Sequence, residues 1–246
     1  MRRSPARLLT IGLTVLLLVG AAAFALTGRE PDLDVSPRTN KQPLMLLTTL
    51  PLMFPEDFSL QGGGSRILSA LETRYIVVPI STTNAESLRA RKLLLLAHPL
   101  AQPAEYLVDL DHWVRNGGKL LLLADPKLDW PSNRPLGDKL RPPPSFADTG
   151  LLAHWGLKLT AERTNGLMST EVGPDLVLFS SPGELHGERA DCDFDASGIV
   201  ARCRVGRGKV TVVADADWLN VELPTMRETR DGHIDLLLRE LARLER

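Results

Sequence analysis

The sequence predicts an α/β domain built on a mainly parallel sheet flanked by helices, with an added β-hairpin. Three observations lead there. Lys92–Pro99 (KLLLLAHP) and Lys119–Pro126 (KLLLLADP) differ only at His98 and Asp125. Unbroken leucine runs bounded by turn signals suit strands buried on both faces. Between them, Tyr106, Leu107, Leu110, Trp113 and Val114 recur at helical spacing, with Pro103 placed for a first turn and Gly117 for a helix end. Strand, helix and strand then make a right-handed βαβ unit with parallel strands. Lys209–Asp215 (KVTVVAD) repeats the strand pattern far downstream. Three buried strands therefore each end on an ionisable residue: His98, Asp125 and Asp215.

The remaining elements are taken in chain order. Leu44–Leu50 suits a first strand. Gly62-Gly63-Gly64-Ser65 precedes a helix with Ile67, Leu68 and Leu71 facing inward. Tyr75–Ile80 reads as a second strand that Pro79 limits. Asn84 is placed to cap a short helix running to Leu88. Lys127–Phe146 holds five prolines and reads as a long loop, either functional or a solvated excursion. Ala147–Trp155 is a short helix stopped by Gly156, and Leu157–Leu159 and Asp175–Phe179 are strands. The chain closes on an amphipathic helix with Ile234, Leu237, Leu238, Leu241 and Leu244 on one face.

Three segments differ in character. Residues 1–26 are a membrane anchor or signal segment, 27–42 a polar flexible linker and 43–246 an exported α/β domain. Leu8–Leu26 has no charge over 19 residues, which at helical rise spans roughly 28 Å, close to a bilayer core. Arg2, Arg3 and Arg7 precede it with no acid, which puts the N-terminus in the cytoplasm and the chain beyond Leu26 outside. Ala23-Phe24-Ala25 also resembles a signal cleavage site, so an uncleaved anchor and a cleaved leader are both open. The expected location is the cytoplasmic (inner) membrane, single-pass, with the C-terminal domain in the periplasm or outside the cell.

Without the first 26 residues the chain has 26 basic and 30 acidic residues. That balance argues against nucleic acid as a partner. The two cysteines, Cys192 and Cys203, flank the turn signal Asp195-Ala-Ser-Gly198. A hairpin there sets them opposite each other; a disulfide is one outcome and two free thiols the other.

At the carboxyl ends of parallel strands, where open sheets bind ligands, His98, Asp125, Asp215 and Asp217 are the candidate ligand-binding residues. Imidazole and carboxylates can hold a metal or move protons. An Asp after a strand more simply caps the next turn, so the expectation is no catalytic residue, no metal and no cofactor. Asp217 is expected to diverge from Asp215 if a turn has begun by Trp218. No G-x-S-x-G elbow is present, and neither cysteine follows a buried strand into a helix. The Gly62–Ser65 loop lacks the lysine of a phosphate loop. His112 and His154 fall on helices without partners at ligand spacing.

The order leucine-rich strand, Pro-Leu, helix, Gly-Gly-Lys, leucine-rich strand, Asp-Pro resembles the auxiliary extracytoplasmic domain of ABC-type transport systems, the gliding-motility-associated auxiliary protein family. The matching residues are Leu93–Leu100, Tyr106–Asp111 and Gly117–Pro126, and Leu151–Leu159 and Gly206–Asn220 resemble later segments. The resemblance implies a flavodoxin-like, class I glutamine amidotransferase-like fold without the catalytic cysteine, working beside permease and ATPase subunits. The expected function is a membrane-anchored, non-catalytic accessory or binding domain. The alternative is an exported α/β hydrolase or metal-dependent enzyme using His98, Asp125 and Asp215.

Overall fold

A seven-stranded sheet forms the centre of the protein in a computed structural model that describes residues 33–54, 56, 64–89, 91–161, 164–187 and 191–246. Its strands are β1 (Gln42–Thr48), β2 (Tyr75–Pro79), β3 (Leu93–Ala97), β4 (Lys119–Leu123), β9 (Asp191–Phe194), β10 (Val200–Val205) and β11 (Gly208–Val213), in spatial order β2-β1-β3-β4-β11-β10-β9. The first five in that order are parallel, and β10 and β9 add antiparallel at one edge. The expected central strands are thus neighbours, with Leu122 of β4 in register with Leu96 and Val212. Every residue of β3 is buried, as an apolar run without alternation requires.

The helices are α1 (Arg66–Arg74), α2 (Ala85–Leu88), α3 (Ala104–Arg115), α4 (Leu151–His154) and α5 (Arg230–Glu245). Side chains set the starts of α1 and α2. Ser65 accepts from the Leu68 N–H and Asn84 from the Ser87 N–H, each satisfying a donor that the helix itself leaves open. Gly117 ends α3 at φ +101°, a conformation that costs glycine little. Gly208 opens β11 so close to α3 that a Cβ would lie 2.1 Å from the Val114 carbonyl oxygen. No side chain fits there. From β1 the chain winds outward to β2, and from β3 it winds the other way to β4. With right-handed crossovers this reversal puts α1 and α3 on opposite faces, and α5 packs beside α1 against β4 and β11.

Several expectations are corrected. The buried face of α5 includes Leu236, His233 and Glu240, while Ile234 is only half-buried. Asp175–Phe179 is a strand as expected, and as β7 (Asp175–Ser180) it pairs with β6 (Leu167–Val172), not foreseen, in a hairpin separate from the main sheet. A second small sheet joins β5 (Leu157–Thr160) and β8 (Glu184–Gly187). The linker's last residues are tied down rather than loose: the Arg38 N–H donates to the Thr73 carbonyl, Arg74 donates to the Ser36 carbonyl, and Arg38 pairs with Glu245 at 2.7 Å. Asp34–Arg246 forms one compact unit. Among the described residues no helix is long and apolar enough to cross a membrane; Leu8–Leu26, its arginine flank and Gly62-Gly63 lie outside them.

Cys192 and Cys203 are register partners on β9 and β10 and are disulfide-bonded, with Cα atoms 4.0 Å apart. The bond closes a loop of sequence separation 11, which limits its stabilisation to about 2–3 kcal/mol. Urea unfolding with and without reductant should show a loss of that size, and two titratable thiols in unreduced protein would contradict the bridge.

Candidate functional site

Asp125, Asp215 and Asp217 come together where β4 and β11 end. Each offers a carboxylate oxygen within 4.8 Å of the others, and all three are buried. The register explains Asp125 and Asp215: β4 and β11 are parallel neighbours, so residues two beyond Leu123 and Val213 leave the sheet side by side. Asp217 begins a 3-10 turn, Asp217–Leu219. The expected divergence does not occur, because that turn folds back over the strand ends instead of away from them.

The carboxylates are spent largely on backbone donors. Asp125 accepts from the N–H groups of Lys127 and Ala216, both at 2.8 Å. Asp215 accepts from Ser180 at 2.7 Å and Trp218 at 3.1 Å, and Asp217 accepts from Asp129 at 2.6 Å. Asp129 in turn accepts from the hydroxyls of Ser180 and Ser181, at 2.9 and 2.7 Å. Asp129 and the two serines were not legible as site residues. Only a Ser-Ser-Pro turn and a Pro-rich loop were visible, and no local pattern links segments some 50 residues apart. The root of the Lys127–Phe146 loop is therefore built into the strand ends and is not a solvated excursion.

Crowding of acids out of water raises their pKa values. Burial pushes Asp125 up to about 6, against the pull of its N–H bonds to Ala216 and Lys127. Burial, then the charge of Asp125, pushes Asp217 up to about 8. Asp215 is held well above the usual carboxylate range by burial and by Asp125 and Asp217. At neutral pH the group holds protons shared among its members. Its oxygens retain second lone pairs, so the same three carboxylates are the donors that a hard cation would find here.

His98 does not join them, contrary to the sequence expectation. It is buried at φ +49°, a left-handed conformation that is uncommon for a non-glycine residue. Its Nε2 lies 2.9 Å from the Pro143 carbonyl oxygen and its own carbonyl accepts from the Thr49 hydroxyl. Its Nδ1 is buried without a hydrogen-bond partner among the described residues, and burial lowers its pKa. His98 ends β3 at the side facing β1, while the aspartates end β4 and β11. His112 and His154 are exposed. His233 is the other buried histidine, its Nδ1 2.6 Å from the Trp218 carbonyl oxygen.

Beside His98, between the carboxyl end of β1 and the Pro-rich loop, lies an open crevice of about 430 Å³. Thr49 and Pro142 line it, and they adjoin the two groups that hold His98. Strand order places this crevice where the winding reverses between β1 and β3, the position at which open α/β sheets leave a gap.

No protein-family model matches the chain, and no curated protein matches it by sequence. In structure it is similar to the exo-β-1,4-mannosidase Op5Man5 from Opitutaceae bacterium strain TAV5, at 14% identity and TM-score 0.51 over 82% of this chain and 36% of that one. It is also similar to the cytoplasmic protein STM1381 from Salmonella typhimurium LT2, at 10% identity and TM-score 0.51 over 82% of this chain and 99% of that one. This chain therefore spans about a third of the mannosidase's length, and at these identities the likeness concerns the fold alone.

Proposed function

We propose that the protein is a membrane-anchored, exported accessory or binding domain without catalysis, an auxiliary component of an ABC-type transport system. The finer fold reading belongs with it: a flavodoxin-like, class I glutamine amidotransferase-like sheet, supported by the parallel order β2-β1-β3-β4-β11. The turn after β3 carries the functional reading. A strained strand-to-helix corner is where an α/β hydrolase presents its nucleophile, and here the strained residue is a buried histidine bonded to Pro143. The cross-strand disulfide supports export, since such bonds persist in oxidising compartments.

Affinity purification of the full chain from native membranes tests this. A permease and an ATPase are expected to co-purify, and the chain should stay in the membrane fraction through alkaline washing. Recovery alone, as a soluble protein beginning near Leu26, overturns it.

A metal-dependent enzyme is the second reading, favoured by one observation, the convergence of Asp125, Asp215 and Asp217. His98 no longer belongs to it. Metal analysis of the purified protein separates the two readings: a stoichiometric divalent ion that is lost in Asp215→Asn would put the second ahead.

A further inference from the structure

We infer that the crevice between the carboxyl end of β1 and the Pro-rich loop binds a small apolar carboxylate, an acyl or aryl acid, with Arg134 taking its anionic end. The inference rests on reading the protein as a binding domain and names the class of molecule it binds.

Chain winding makes the gap. The connection after β1 runs toward β2 and the one after β3 runs toward β4, so the two diverge above the sheet and leave a space between them. At about 430 Å³ the space falls within the range of small-molecule sites. Its walls are mostly apolar: Leu50, Pro51 and Met53 from the β1 connection, Leu140 and Pro142 from the Pro-rich loop. Leu140 remains 66% exposed at the mouth and Phe54 68%, apolar surface that an apolar ligand body would cover.

The polar groups on the walls decide the sign of the ligand. Glu56 is already used. Its Oε1 accepts from the Ser132 hydroxyl at 2.5 Å and its Oε2 from the Asn133 N–H at 3.0 Å, so it fastens the loop to the β1 connection. The Thr49 hydroxyl is likewise committed to the His98 carbonyl. Arg134 lines the same crevice, and among the described residues its guanidinium is held only by a long ion pair of 3.8 Å to Asp138. A planar fork with such a loose partner suits a carboxylate, which it can grip with two parallel bonds. A cationic ligand would meet Arg134 and find Glu56 occupied. The Pro-rich loop then has a role: prolines hold it in place, so a wall of the site is formed before the ligand arrives.

Calorimetric titration of the full chain in lipid nanodiscs, with empty nanodiscs as the blank, tests the assignment. Octanoate and 3-phenylpropionate are the probes, and octanamide is the uncharged control. Saturable one-site binding of both acids is expected, with octanamide at least about tenfold weaker. Arg134→Gln should weaken the acids about tenfold while leaving octanamide unchanged, and Arg134→Lys should recover part of the loss. Leu140→Asp, at an exposed loop position, should weaken all three. Acids that bind no better than octanamide, an Arg134→Gln protein with unchanged affinity, or no heat beyond the blank would each overturn the site, and the non-catalytic reading would stand. Recovery of the probes by mass spectrometry separates the two claims: probe that binds at this site but returns chemically altered would overturn the non-catalytic reading and leave the site in place.

Discussion

Leu122→Asp is expected to leave no cooperatively folded protein. Leu122 is 1% exposed in β4, in register with Leu96 on one side and Val212 on the other. The substitution removes roughly 2–3 kcal/mol of apolar burial and places a carboxylate where nothing pairs with it, at a cost of several kcal/mol more. Together these rival the whole margin of about 5–15 kcal/mol that holds a typical domain folded. Leu95→Asp, at a fully buried position of β3 between Leu46 and Leu121, should behave the same way. Ile76→Asp is the control, because Ile76 is 56% exposed on the edge strand β2. Near-ultraviolet circular dichroism and urea titration read the difference. A Leu122→Asp protein that unfolds cooperatively at near-normal urea would show that β4 is not the centre of the core.

Stability should fall as pH rises from about 6.5 to 8, and the aspartate group is the reason. Asp125, Asp215 and Asp217 all have folded pKa values raised above the ordinary 3.8. A carboxyl of this kind stabilises the fold fully below its unfolded pKa. The contribution is lost as pH climbs through the folded value, because the unfolded chain then gives up protons that the native state keeps. For Asp125 the window closes near 6 and for Asp217 near 8. The buried histidines His98 and His233 have the opposite sign. Their folded pKa values are lowered, so their stabilisation is present above the unfolded value of 6.5 and disappears as pH falls below it. Above 6.5 the two histidines together add back less than about 1 kcal/mol, and the carboxyls dominate. The expected loss between pH 6.5 and 8 is on the order of 2–4 kcal/mol, read from urea unfolding at a series of pH values. Asp217→Asn cannot ionise but keeps an oxygen for the Asp129 N–H, so it should flatten the slope by about half. A wild-type stability that is level or rising over this interval would show that the group is ionised in the native state.

Much of the scaffold was legible because its determinants are local. Four consecutive leucines between turn residues can satisfy water only by leaving it on both faces, which makes β3 and β4 central before any contact is known. Asn84 announces the helix that starts at the next residue, and the turn at Asp195–Gly198 sets the register that opposes Cys192 and Cys203. The β6–β7 hairpin escaped notice because β6 alternates between exposed and half-buried residues and carries little apolar signal. What the tertiary structure alone decided lies at the strand ends. Which ionisable residues meet depends on strand order, which put β4 beside β11 and left His98 on the far side of β4. Whether Asp217 turns toward Asp215, whether Asp129 reaches Ser181, and whether the Pro-rich loop closes a crevice over β1 depend on segments brought together only when the core forms. Periodicity fixes which face of an element is buried. It carries no information about which loop will lie over which strand end, since that is set by packing between parts of the chain that share no local pattern.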